Sequence, residues 1–211
     1  MEKVDALVER LAQDTLPLRP APHPYKLGLS WLLGAAAYLV ISLVVSGVRP
    51  DWLQQLQHPW LQAELILLVL MCVSTALSAA VLAFPDMHQR GWLTRVPLVL
   101  FGVFGVIMLL AWHADQPPAP LPIHSFECTL SILAAALLPA AWVVYTLRRY
   151  ASTHVRRAGS TALLFAFSVG ALWLRLHEVN DSVMHVILWH YLPMIAVGWL
   201  GLSVGQKWLR W

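Results

Sequence analysis

Long apolar runs alternate with short polar segments along the chain, at about 27–48, 61–84, 96–113, 128–147, 160–177 and 185–205. Crossing a bilayer as a helix takes roughly 20 apolar residues at ~1.5 Å rise each. Leu27 to Val48 meets that length on its own. The pattern predicts an all-α integral membrane protein: a six-transmembrane-helix bundle over 27–211, preceded by a separate segment, 1–26. In that segment Val4, Leu7, Val8 and Leu11 fall at helical spacing with charged residues between them, as in a short amphipathic helix. Pro17, Pro20, Pro22 and Pro24 follow and end it. Proline also marks the connectors Arg49-Pro50-Asp51 and Phe84-Pro85-Asp86 and the run Pro117 to Pro122.

Composition agrees with the pattern. Of the 211 residues 59% are hydrophobic and only 12% charged, against about a quarter charged in a soluble domain. The first apolar run is too long for a signal-peptide core and has no small-residue cleavage site after it.

Charge sets the expected orientation. Lys3, Arg10, Arg19, Lys26, Arg90, Arg95, Arg148, Arg149, Arg156, Arg157, Lys207 and Arg210 all fall on one side of the six spans, 12 of the 14 basic residues. Basic residues collect on the cytoplasmic side of membrane proteins. Both termini are therefore expected in the cytoplasm and three loops outside. The net charge of +3 follows from this bias, so nothing points to direct nucleic-acid binding. Glu2, Asp5, Glu9 and Asp14 outnumber Lys3 and Arg10 in the first helix, so anionic lipid would repel it. Helices that lie on membranes are usually basic on their polar face. A helix that folds onto a cytoplasmic protein fits better.

Sorting the nine histidines by side brings out the candidate chemistry. His58, His113, His124, His177, His185 and His190 fall at the outer rim with Glu64, Asp115, Glu127, Cys128, Glu178 and Asp181. Imidazole, carboxylate and thiol together suit a Zn or Cu ion. His124 and Cys128 share a helix face, as do Asp181 and His185. Rim histidines, like rim tryptophans, also serve simply as interface anchors. The zincin motif H-E-x-x-H is absent, since H-E-V-N-D ends at Asp181. Arg175 reads as an ion-pair partner for Glu64, Glu178 or Asp181. Cys72, in mid-span, reads as a packing residue, too far in depth from Cys128 for a disulfide. Gly201 and Gly205 form G-x-x-x-G, a helix-packing signal. There is no P-loop, G-x-G-x-x-G or nucleophile elbow.

Several segments, in order, resemble one family. They are L-V-E-R-L-A-Q-D-T-L-P-L-R-P (Leu7 to Pro20), V-R-P-D-W (Val48 to Trp52), E-C-T-L (Glu127 to Leu130), L-W-H-Y (Leu188 to Tyr191) and the ending W-L-R-W. Together they are similar to the NrsF family of six-span bacterial inner-membrane anti-sigma factors. The resemblance implies a protein that holds an extracytoplasmic-function sigma factor, with no enzymatic activity. The sigma factor would sit on the N-terminal helix at Val4, Leu7, Val8, Leu11 and Asp14. It also implies two outward cysteines linked to sensing metal or oxidant. The first matches Cys128; the second aligns with Glu178. That exchange rules out an intrachain disulfide there; the resemblance then implies a metal held through Cys128, His124, His177, Glu178 and His185, with the preferred ion shifted from Cu(I) toward Zn(II) or Cu(II). The alternative is a small metal-dependent or redox membrane enzyme with its site on the periplasmic face. A third reading is a purely structural membrane subunit.

Overall fold

The computed structural model describes residues 2–13, 22–85, 91–114, 126–150 and 152–210. All regular structure among them is helical. The helices are α1 (Glu2–Gln13), α2 (Pro24–Ser46), α3 (Trp52–Gln55), α4 (Pro59–Leu82), α5 (Val96–Ala114), α6 (Phe126–Leu147), α7 (Val155–His177), α8 (Val183–Val186) and α9 (Leu192–Trp208). A 3-10 turn, Leu93–Arg95, leads into α5, and a π-helical turn, Ile187–Tyr191, joins α8 to α9. Six of these units are long and apolar enough to cross a membrane, the sixth being α8, the π turn and α9 together. The expected six-span bundle is therefore found, with every span beginning earlier than the apolar pattern suggested, by two or three residues in most and by five in the fifth. This is a multi-pass membrane architecture.

Helix α7 is the central post and packs against α2, α4, α6 and α9. Composition explains why it can. Its residues Ala158, Gly159, Ala162, Ala166, Gly170 and Ala171 are buried, and small side chains let neighbouring backbones come close. Gly170 lies against the α6 backbone at Ile132, where any Cβ would strike the carbonyl oxygen. Gly159 lies against Gly201 and Gly205 of α9 in the same way, and a Cβ on Gly205 would strike the Val155 carbonyl. The G-x-x-x-G signal thus marks contact within the bundle. Ser160 Oγ adds a 2.9 Å hydrogen bond to the Gly198 carbonyl.

Prolines inside spans each free a carbonyl four residues earlier, as Pro97 in α5 frees Leu93 O, which accepts a 2.9 Å hydrogen bond from Ser78 Oγ of α4. In hydrocarbon that carbonyl needs a partner from a neighbouring helix. Pro139 in α6 frees Ala135 O, which accepts a 2.8 Å hydrogen bond from Tyr38 Oη of α2. Pro193 in α9 frees Trp189 O, which accepts a 2.7 Å hydrogen bond from Thr129 Oγ1 of α6.

The two ends of the bundle differ in character. One carries Lys26, Arg95, Arg148, Arg149, Arg156, Arg157 and Lys207 and is called here the basic end. The other carries His58, His113, His177, His185 and His190 and is called the histidine end.

Candidate functional site

At the histidine end a polar lock holds the loop between α7 and α8. Arg49, just past α2, is only 3% exposed, yet its guanidinium meets two carboxylates. It donates to both oxygens of Asp181, at 2.8 and 2.6 Å, and to both oxygens of Asp51, at 2.9 and 3.0 Å. Such forked pairs are the strong form of charge-assisted hydrogen bond. Arg175 of α7 lies beneath, 2% exposed, with Nε 2.8 Å from Glu64 Oε1 of α4 and Nη2 3.2 Å from Asp181 Oδ1. It also donates to the Asn180 carbonyl at 3.0 Å. The ion-pair role expected of Arg175 is thus met by Glu64 and Asp181.

The lock shows in the ionisation of its members outside the spans. Hydrogen bonds to Asp181 and Asp51 raise the Arg49 pKa further above its already high value. The bond from Arg49 holds the Asp51 carboxyl down, at about 2. Burial pushes the Asp181 carboxyl up, but Arg49 and Arg175 more than reverse this.

Beside the lock, four donor groups converge: Cys128 from the first turn of α6, Glu178 from the loop, His185 from α8 and His190 from the π turn. One ligand atom from each lies within 4.8 Å of all the others. The Cys128 thiol donates to Glu178 Oε1 at 3.2 Å. His185 Nε2 is 3.2 Å from Glu178 Oε1, and His190 Nε2 is 3.5 Å from Oε2. Neither ring is angled to make a hydrogen bond there, and both nitrogens of both rings, like Glu178 Oε2, are buried without a partner. His185 and His190 are 0% and 2% exposed and meet edge to face, with centroids 5.1 Å apart. Burial pushes the Glu178 carboxyl up, but the adjoining His185, His190 and Cys128 outweigh it and hold it well below the usual carboxylate range.

Local backbone chemistry explains why two histidines five apart can meet. In an α-helix such residues point roughly 140° apart, five steps of about 100°. The π turn between them takes up one extra residue, and the Leu192 N–H bonds back to Ile187 O, five residues earlier. His190 is thereby carried round to the side of His185. Pro193, which cannot donate to Trp189 O, lies just past this turn.

Of the expected ligands, the structure brings together Cys128, Glu178 and His185. His190 joins them although the apolar pattern gave no reason to choose it; Pro193 was the available clue. His177 stands outside the group. Its Nδ1 is 2.9 Å from the Gly47 carbonyl oxygen and its ring stacks on Trp173, so it clasps the end of α2. Gly47 has φ +85°, a left-handed conformation that glycine tolerates without strain. His124 lies outside the described residues, as does Asp14. Val4, Leu7, Val8 and Leu11 all face outward on α1, each 57–63% exposed. Cys72 is a buried free thiol within α4, and Cys128 is also a free thiol.

Four donors of this mix can make one tetrahedral zinc site, in which neighbouring ligand atoms stand roughly 3.3–3.8 Å apart. The three contacts to Glu178 are near that spacing already.

Comparison with known proteins places the chain. A family model described as "NrsF: Negative regulator of sigma F" matches residues 11–211. The "Anti-sigma-F factor NrsF" of Caulobacter vibrioides (strain NA1000 / CB15N) is 30% identical over 216 residues, spanning 99% of this chain and 100% of that protein. No solved structure matches. Matched over almost its full length, with six spans in place, the chain belongs to the NrsF family of negative regulators of sigma F, a regulatory rather than an enzymatic family.

Proposed function

We propose that this protein is a bacterial inner-membrane anti-sigma factor that answers to a metal ion at its periplasmic face. Its partner is an extracytoplasmic-function sigma factor, held in the cytoplasm on the Val4, Leu7, Val8 and Leu11 face of α1, with Asp14 just beyond. Exposure of that whole apolar stripe supports a face meant for a protein partner. The charge bias supports a cytoplasmic α1 and cytoplasmic termini, with the Cys128 cluster on the opposite side.

The observation that carries the metal reading is the pair of buried imidazoles. His185 and His190 have four ring nitrogens without a hydrogen-bond partner, beside a thiol and a carboxylate. Each unpaired buried polar atom costs about 1–3 kcal/mol, and a cation relieves that cost at several atoms at once. Glu178 stands where the family resemblance places its second outward cysteine. The set of one thiolate, one carboxylate and two imidazoles favours Zn(II) or Cu(II) over Cu(I). For the ion to act as a signal it must bind one arrangement of the bundle better than another.

The test has two arms. Purified protein is titrated with Zn(II) and Cu(II) beside Cys128→Ala and His190→Ala. Each variant should bind at least about tenfold more weakly, given how steeply affinity depends on each ligand. Unchanged affinity in both removes the site. Separately, deletion of residues 1–20 should abolish capture of the co-expressed sigma factor on membranes. Undiminished capture refutes the role of α1.

A further inference from the structure

Helices α5 and α9 are the two long elements that lean on the central pair without closing on each other. α5 packs on α4, and α9 packs on α7. Between them, toward the basic end, a cavity of about 530 Å³ opens sideways where hydrocarbon would lie. Its floor is Met71, Leu164 and Met194, and its lips are Leu98 and Trp199, which are 75% and 72% exposed. Two guanidiniums, Arg95 and Arg157, stand at its end. Both are exposed, and among the described residues neither has a carboxylate within ion-pair reach. Ser160, Thr161 and Thr94 line the same end but spend their hydroxyl protons on backbone carbonyls. Among the described lining residues the guanidiniums are therefore the charged donors on offer to an incoming group, with the Trp199 indole N–H at the lip. A second cavity of about 140 Å³, which shares Thr94 and Arg157, continues beyond the guanidiniums toward His154.

A long apolar trough open to the bilayer, closed at headgroup depth by two arginines, matches a molecule with an acyl chain and an anionic head. We infer that the fissure binds an anionic phospholipid, its phosphate between Arg95 and Arg157 and a chain along Leu98, Phe101, Leu164 and Trp199. Basic pockets between spans take anionic headgroups by this chemistry. Bilayer lipid is present at this depth wherever the protein is. The inference is independent of the sigma-factor and metal readings.

Native mass spectrometry of the full-length protein in detergent, with phosphatidylglycerol or phosphatidylcholine added, reads the site directly. Wild type should retain phosphatidylglycerol in preference to phosphatidylcholine. Arg95→Gln/Arg157→Gln should lose affinity for phosphatidylglycerol by roughly fivefold per arginine, and Arg148→Gln, outside the fissure, should not. Gly198→Leu adds a side chain into the fissure from α9, where a Cβ meets only the Leu164 side chain at an ordinary 3.7 Å. It should lower binding with both arginines in place. Equal retention of the two lipids by wild type, or unchanged phosphatidylglycerol binding in both variants, overturns the inference. So does a dimer mass that Gly198→Leu abolishes while no lipid adduct forms, which would make the fissure a contact between two copies.

Discussion

Helix α7 is held in opposite ways at its two ends. Toward the basic end it meets α9 glycine to backbone, with Gly159 against Gly201 and Gly205 and almost no side chain between. Toward the histidine end it meets its neighbours through Arg175, Glu64 and Asp181, charges taken out of water. The first contact is cheap to form and has no alternative arrangement, because a Cβ cannot enter it. The second is costly to assemble and depends on every partner being present. A regulator needs one region that stays put and one that can be biased, and the histidine end gathers buried groups whose charge or coordination can change.

Four measurements sharpen that contrast. Arg175→Ala should cost the most, about 3–5 kcal/mol, because it strands Glu64 as a buried, unpaired charge. Adding Glu64→Leu to the variant should recover part of the loss. Unfolding in mixed detergent micelles reads both, and equal stabilities of Arg175→Ala and wild type would show the lock to be ornamental. At the other end Gly205→Ala, whose single methyl already meets the Val155 carbonyl oxygen and forces α9 away from α7, should cost about 1–3 kcal/mol through overpacking, while metal affinity at the histidine end stays within about twofold. A third variant, Pro193→Ala, restores a backbone donor for Trp189 O and lets α9 run on as regular helix. Stability should change by less than about 1 kcal/mol, yet metal affinity should fall about ten- to a hundredfold as His190 turns away from His185. Titration of Pro193→Ala that matches wild type would break the link between the π turn and the cluster.

The smallest effect is that of acid. The Asp51 carboxyl is held at about 2 against an ordinary 3.8, and Asp181 and Glu178 are lowered too. Groups with depressed folded-state values contribute stability that is complete above their ordinary range and lost as pH falls through the folded value. The part of the melting temperature these carboxylates supply should therefore hold down to about pH 5 and be lost toward about 2. Asp51→Asn should remove part of that decline. The glycine contact carries no such dependence.

Much of this was legible in the residues. Hydropathy placed six spans because hydrocarbon permits little else of that length. Gly201 and Gly205 announced a close contact, and Arg175 could hardly be buried without a carboxylate. The site was legible only in part. Cys128, Glu178 and His185 carry suitable donors at the right depth, so composition could select them. His190 was not selectable by helical spacing, since its place in the cluster depends on a break in that spacing. His177 failed the reverse test: it has the right chemistry and depth, but its ring is spoken for by Trp173 and Gly47. Periodicity reports which face a residue occupies in a regular helix, and it is silent where a proline alters the count.

The lone thiol at the histidine end has a consequence in time. Two cysteines can close into a bond that persists until a reductant arrives, so their state is a record of past exposure. Here Cys128 faces a carboxylate, and Cys72 is sealed within α4. The cluster has no intrachain covalent latch. On the proposed metal reading, an ion bound there would leave as its free concentration falls, and the protein would follow present conditions without keeping a memory of earlier ones.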